Sequence, residues 1–363
     1  MTNESNAIHS WLDMATRMGA SDLHLVTGYA PYVRAHGNLA ELDPTPLESE
    51  YLKELMREIC DKAQWNDFSF NKNLDFAMYH DVTSNAESNF ESKTHRCRVN
   101  FFMNQDRYGA CFRLIPSTIP SFEWTGFPVG LAERLASQRN GLVLLTGMTG
   151  AGKTTSLAMI VNLLNQRGNI RIITVEDPIE YIYPRRKNSI VSQREVGGDV
   201  SSFAEGLRYG LRQDPDVILV GEIRDRETAQ MALSAAETGH LVFSTLHTRD
   251  AKGAISRFAD LFPQNSQPEV RSQLAMSLRA IVSQHLLPAA FEDKRQLVLE
   301  ILFNNNPIAA GIRQGKLESI DTGITTGRQE GMVSLDESLR QHVSEGNITR
   351  ETALQFCTDR NAF

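Results

Sequence analysis

Four short, uninterrupted apolar runs recur in the second half of the chain, at residues 142–146, 172–175, 217–220 and 241–245, each followed by a polar or glycine-bearing turn. Strands with no polar alternation are expected in a parallel sheet whose two faces are both covered by helices. Amphipathic or alanine-rich stretches at 155–166 and 226–238 fill the intervals. The second of these ends at Gly239, where a helix C-cap belongs. This half therefore predicts an α/β domain.

The first part of the chain, to about Pro116, alternates helical patterns with short strand-like runs at 98–102 and 111–115, which predicts a small α+β domain. A polar, turn-rich stretch from Asp81 to His95 reads as an exposed hairpin loop. The segment Pro116-Ser-Thr-Ile-Pro120 breaks periodicity twice, and Trp124-Thr-Gly-Phe-Pro128 follows it, so a linker is expected at 116–125. After about Pro288 the pattern turns helical, with helices expected at 332–342 and 349–359. The expected layout is an α+β domain at 1–115, the linker, an α/β domain at 126–300 and a helical region at 301–363.

Composition narrows the function. The 363 residues carry 37 basic and 44 acidic side chains, a formal charge of −7, so no global positive field exists to hold nucleic acid or an anionic membrane. The first nine residues lack a basic segment followed by an apolar stretch and no run of about 18 apolar residues occurs, which makes a cytoplasmic protein without membrane insertion the expectation. Cys60, Cys97, Cys111 and Cys357 are scattered without a C-x-x-C pair and read as reduced thiols.

The densest chemical signal is Gly147-Met-Thr149-Gly150-Ala151-Gly152-Lys153-Thr154-Thr155, between the first apolar run and a predicted helix. Its glycines let backbone N–H groups close around phosphate oxygens, and the helix N-terminus adds partial positive charge. Lys153 is expected on the β- and γ-phosphates of ATP and Thr154 on Mg²⁺. Two acidic clusters follow later apolar runs, Glu176-Asp-Pro-Ile-Glu180 and Gly221-Glu222-Ile-Arg224-Asp225, where open α/β sheets place ligand-binding groups. A third element, Thr238-Gly-His240-Leu-Val-Phe-Ser-Thr245-Leu-His247-Thr248, sets a histidine at each end of one buried strand.

Taken in order, these four elements resemble the Walker A, Asp box, Walker B and His box of the secretion ATPase superfamily. With Ala20-Ser-Asp-Leu-His24, the chain is similar over nearly its whole length to the type IV pilus retraction ATPases of twitching motility, the PilT/PilU type. The resemblance implies a hexameric ring of PAS-like amino-terminal and RecA-like carboxy-terminal domains, with a C-terminal helical segment. It implies ATP and Mg²⁺ as ligands, Glu176 as the activator of water, and Glu222 as the acid acting on magnesium through water. It also carries over Arg98 and Arg113 as cations that complete the site, and His240 and His247 as γ-phosphate or interface sensors. The implied partners are identical subunits, an inner-membrane pilus platform protein and a related retraction ATPase, with the ring docked peripherally at the inner-membrane base of the pilus.

Two departures stand out. Retraction motors of the PilT kind carry Ala-Ile-Arg-Asn-Leu-Ile-Arg where this chain reads Pro307-Ile-Ala-Ala-Gly-Ile-Arg313, and the paired alanines are more like the accessory PilU. The Asp81–His95 stretch replaces a short turn. The sequence thus leaves a principal retraction motor as the leading reading, with a low-turnover accessory subunit and a secretion or extension ATPase behind it.

Overall fold

A computed structural model describes residues 7–35, 38–81, 94–115, 118–291, 294–360 and 363. Most of the Asp81–His95 stretch, together with Pro116 and Ser117 of the expected linker, lies outside the described residues. The chain divides into two compact units, one running to Thr118 and including Glu180–Ile182, the other formed by Ile119–Ile179 and Tyr183–Phe363.

The first unit contains α1 (Ala7–Arg17), β1 (Ala20–Val26), β2 (Tyr32–Ala35), β3 (Asn38–Glu41), α2 (Ser49–Glu58), α3 (Lys62–Asn71), β4 (Asn73–Asp81), β5 (Thr94–Asn104) and β6 (Arg107–Leu114). Its six strands form one antiparallel sheet in the order β3-β2-β1-β6-β5-β4. Period-two alternation supplies the core. Leu23 and Leu25 of β1, Val99 and Phe101 of β5 and Phe112 of β6 are fully buried, with Ile8 and Leu12 of α1 and Leu52 and Met56 of α2 in the same cluster. Helix α3 opens with a capping box between Asp61 and Gln64.

The second unit contains α4 (Phe122–Thr125), α5 (Val129–Ala136), β7 (Gly141–Thr146), α6 (Lys153–Arg167), β8 (Ile170–Glu176), β9 (Ser189–Glu195), α7 (Phe203–Gly210), β10 (Val217–Val220), α8 (Arg226–Glu237), β11 (Leu241–Leu246) and α9 (Ala251–Asp260). It continues through α10 (Gln267–Ser277), β12 (Leu278–Pro288), β13 (Arg295–Phe303), α11 (Asn306–Gln314), α12 (Glu318–Thr326), α13 (Leu335–Ser344) and α14 (Arg350–Phe356). The seven strands follow the order β13-β12-β7-β11-β10-β8-β9. All neighbours are parallel except β12 and β13. Every residue of β7, β10 and β11 is buried, as their unbroken apolar runs require.

The helices cover both faces. On β8, Ile173 and Val175 meet Gly210 and Gly206 of α7. Alternation therefore turns Ile172, Thr174 and Glu176 to the other face, which α6 covers. On β12, Gln284 donates to Ser156 of α6 at 3.0 Å, whereas its neighbour Ser283 faces the α9 side through Glu300 and Ala251.

One expectation is corrected. The chain after Pro288 does not turn directly helical, because β13 first pairs with β12 over nine residues and helices resume only at α11. Arg295 and Gln296 at the start of β13 and the buried Glu300 within it break the apolar run that marks the other strands.

Candidate functional site

The loop between β7 and α6 is shaped from outside as well as by its own glycines. Gly147 has φ +145°, and a Cβ there would stand 2.5 Å from the Gln284 carbonyl of β12, so no side chain is admitted. Gly152 is left-handed, with φ +83°, and serves as N-cap of α6 with no side-chain cap bond. A helix that starts on glycine leaves its first amides for a ligand, and an anion is the ligand its dipole favours. Lys153 is buried, its Nζ donating to the carbonyls of Gly147 (2.8 Å) and Met148 (3.1 Å), which folds the ammonium into the loop. Thr149 and Gly150 are exposed, Ala151 is buried, and Thr154 and Thr155 are half-buried at the start of the helix. Arg295 of β13, which sequence reasoning did not single out, donates to the Gly150 carbonyl at 3.4 Å.

The strands β7, β11, β10 and β8 run parallel, so the loop, His247, Glu222 and Glu176 all emerge at the same edge of the sheet. Glu222 follows β10, two inter-strand spacings from β7, and Glu176 ends β8, three spacings away. At about 4.8 Å per spacing these are roughly 10 and 14 Å of backbone separation. Glu222 is buried, with His247 Nε2 at 3.1 Å from its Oε2 and Arg224 on its Oε1. Glu176 is 5% exposed, and its Oε1 accepts from the Thr174 hydroxyl (2.6 Å) and from Gln193 of β9 (3.2 Å). Because Thr174 and Glu176 share the α6 face, the carboxylate lies on the side of the sheet where α6 begins at Lys153. Gln193, Thr174 and Arg224 were not singled out as site residues from the sequence. Arg224 alone had a signal there, standing two residues after Glu222 in the same cluster.

His240 is not brought to this edge. It precedes β11, and its backbone carbonyl receives the Gly141 N–H at the start of β7. The six residues of β11 separate it from His247 by roughly 20 Å. Its Nδ1 lies 3.0 Å from the Ala235 carbonyl and 3.2 Å from the Thr238 hydroxyl, which makes it a cap on the C-terminal end of α8.

Arg98 and Arg113 belong to the first unit, where they stand directly opposite each other on β5 and β6. Arg113 binds Asp22 of β1 at 3.0 Å, and the guanidinium stays two-thirds exposed. Arg98 lies 3.4 Å from Asp75 of β4. Two cations therefore share one face of the antiparallel sheet, each with an acidic companion.

Among the described residues, no group of three or more His, Cys, Asp or Glu side chains is disposed to hold a metal ion. The oxygen donors beside the loop, the Thr154 hydroxyl and the Glu222 carboxylate, instead suit a hard cation that keeps several waters and takes its other ligands from nucleotide phosphates, as Mg²⁺ does. No helix among the described residues is long and apolar enough to cross a membrane.

Comparison with known proteins gives a consistent result. A family model described as "Type II/IV secretion system protein" matches residues 129–355. The chain is 41% identical over 335 residues to an uncharacterized protein, YggR, of Escherichia coli (strain K12), covering 92% of this chain and 98% of that one. It is 40% identical over 342 residues to the type IV pilus retraction ATPase PilT of Pseudomonas aeruginosa, covering 94% and 95%. A crystal structure of the pilus retraction motor PilT with bound ADP superimposes with a TM-score of 0.87 at 37% identity, covering 98% of both chains.

Proposed function

This chain belongs to the Type II/IV secretion system protein family, and we infer that it is an ATPase motor that drives type IV pilus retraction. The observation that carries the reading is the shared edge. A phosphate loop with an uncapped helix start, a buried lysine and two buried carboxylates all stand at the C-terminal ends of neighbouring parallel strands.

The positions of the loop and strand-end residues support the following roles. The amides of Gly150, Gly152 and Lys153, joined by that of Ala151 once it leaves the Met148 carbonyl, cradle the β-phosphate, and Lys153 releases its loop carbonyls to bind the β- and γ-oxygens. Thr154 and Glu222 would hold Mg²⁺, directly or through water, and the ion would neutralise charge on the phosphates. Glu176, buried on the α6 side and held by Thr174 and Gln193, orients the attacking water and takes its proton. His247 fixes the second oxygen of Glu222 and reports on its state. In a ring of six subunits, Arg98 and Arg113 supply the cations that stabilise the transferred phosphoryl group. Work is delivered to a platform protein at the inner-membrane base of the pilus by the cytoplasmic ring.

Replacing Lys153 by Ala should abolish turnover in steady-state ATPase assays, and unchanged activity would overturn the site. A low-turnover accessory subunit, working with a related retraction ATPase, is the second reading. The two alanines of α11, Ala309 and Ala310, favour it because they depart from the principal motors' signature. ATPase activity measured over a concentration series, with assembly followed by light scattering, separates the two. Activity that rises with ring formation supports the motor, whereas an intact ring with negligible turnover supports the accessory role.

A further inference from the structure

On the face of the sheet opposite α6, two buried polar side chains tie down the loop that carries His247. Glu300 of β13 is 8% exposed, and its Oε1 accepts the Ala251 N–H at 2.6 Å and the Ser283 hydroxyl at 3.2 Å. Ala251 is the first residue of α9. His285 of β12, also buried, donates from Nε2 to the Arg249 carbonyl at 2.9 Å. Between these two anchors, Asp250 caps α9 through the Gly253 N–H. The loop from His247 to Ala251 is thus pinned at residues 249 and 251 to the antiparallel pair, while His247 itself closes on Glu222.

We propose that Glu300 is a positioning residue for nucleotide hydrolysis: by gripping the first turn of α9, it sets where His247 meets Glu222. The proposal rests on the ATPase reading of the site. A neutral amide or hydroxyl would accept the Ala251 N–H at far lower desolvation cost, so a carboxyl buried here calls for a use of its ionisation. The groups around it do not neutralise it. Asp250 and Asp321 are acidic, Lys252 is turned to Asp321 (3.3 Å) and Glu318 (3.7 Å), and His285, which burial holds below its ordinary value, is turned to the Arg249 backbone carbonyl. Burial, seconded by the two aspartates, pushes Glu300 up to about 7 against the opposing hydrogen bonds from Ala251 and Ser283. The anchor therefore gains charge near neutrality, and the ionised form holds an amide at a helix N-terminus more strongly.

Glu300→Gln and Glu300→Ala compared with the unaltered protein test this by two measurements. Amide exchange across residues 247–253, corrected for intrinsic rates, reads the anchor, and kcat and KM from about pH 6 to about pH 8 read the consequence. In the unaltered chain, Ala251 protection and kcat should rise together with pH, and in Glu300→Gln both should lose that limb. Glu300→Ala should lower kcat roughly tenfold while KM stays within about twofold. Superimposable pH profiles for the unaltered protein and Glu300→Gln would overturn the proposal, and this comparison decides even if Glu300→Ala fails to fold. Unchanged Ala251 exchange in a folded Glu300→Ala would overturn it too. Absence of turnover in the unaltered protein, with the exchange limb present, would sink the ATPase reading and leave the anchor standing.

Discussion

His247 Nε2 and Glu222 Oε2 lie 3.1 Å apart, with Arg224 on the other carboxylate oxygen, so the acid that follows β10 is held from both sides. Half of the His247 side chain is exposed, so its removal should leave the fold intact. His247→Ala is expected to lower kcat roughly ten- to hundredfold, the scale of one lost polar contact at a reacting centre. Steady-state kinetics beside a thermal melt separates this from misfolding, and an unchanged kcat would remove His247 from the site.

Glu176→Gln keeps the shape and the Thr174 hydroxyl bond but cannot take a proton. Nucleotide affinity, read with a fluorescent ADP analogue, should stay within about threefold, while turnover falls by roughly two to three powers of ten. A parallel loss of both would make Glu176 a binding group instead.

Gly147→Ala places a methyl 2.5 Å from the Gln284 carbonyl at a φ of +145°. The cost should be about 2 kcal/mol or more, combining backbone strain and overpacking. A lowered urea midpoint together with lost nucleotide binding is the expected result, and an unperturbed variant would mean that β12 does not set the loop's shape.

Arg113→Ala removes the cation from Asp22, a buried carboxylate whose remaining side-chain donor among the described residues is the Ser21 hydroxyl, so stability should fall by about 1–3 kcal/mol. Turnover should also fall if the cation completes a site in the ring. Mixed rings of Arg113→Ala and Glu176→Ala subunits should regain part of the activity where mutant sites complement. No recovery in demonstrated mixed rings would argue against sharing between subunits.

Glu300 also predicts a pH dependence of stability. Its folded value of about 7 exceeds the ordinary 4.5, so the folded state holds a proton that the unfolded chain has released between those values. The associated stability is present below about pH 4.5 and is lost as pH rises through about 7, by about 3 kcal/mol at most. Urea midpoints of the unaltered protein and Glu300→Gln should therefore diverge in favour of the variant above neutrality. Parallel curves would show that the carboxyl titrates normally.

What could be read from the sequence tracks how each strand is buried. β7, β10 and β11 are wholly apolar or nearly so, and their runs announced a parallel sheet with the phosphate loop at its edge. β12 and β13 were hidden because Ser283, Gln284, His285 and Glu300 are polar yet buried. Their partners, Ser156, Arg249 and Ala251, lie far away in sequence. Glu176, Glu222 and Lys153 could be named from local motifs. His240 was grouped with His247 because both match the His box of the resemblance, although they stand at opposite ends of β11. The partner Gln193 could not be named because only strand pairing brings β9 beside β8, whereas Thr174 stands two residues before Glu176 on the same face of β8.

That last strand-end geometry has a mechanical side. β11 is buried along its whole length and hydrogen-bonded to β7 on one flank and β10 on the other, so it can neither shorten nor slip without breaking both ladders. It behaves as a stiff rod through the middle of the sheet, with His240 at its foot and His247 at its tip. A load on either rim is therefore shared with β7 and β10 through their ladders, and the two histidines keep a fixed separation.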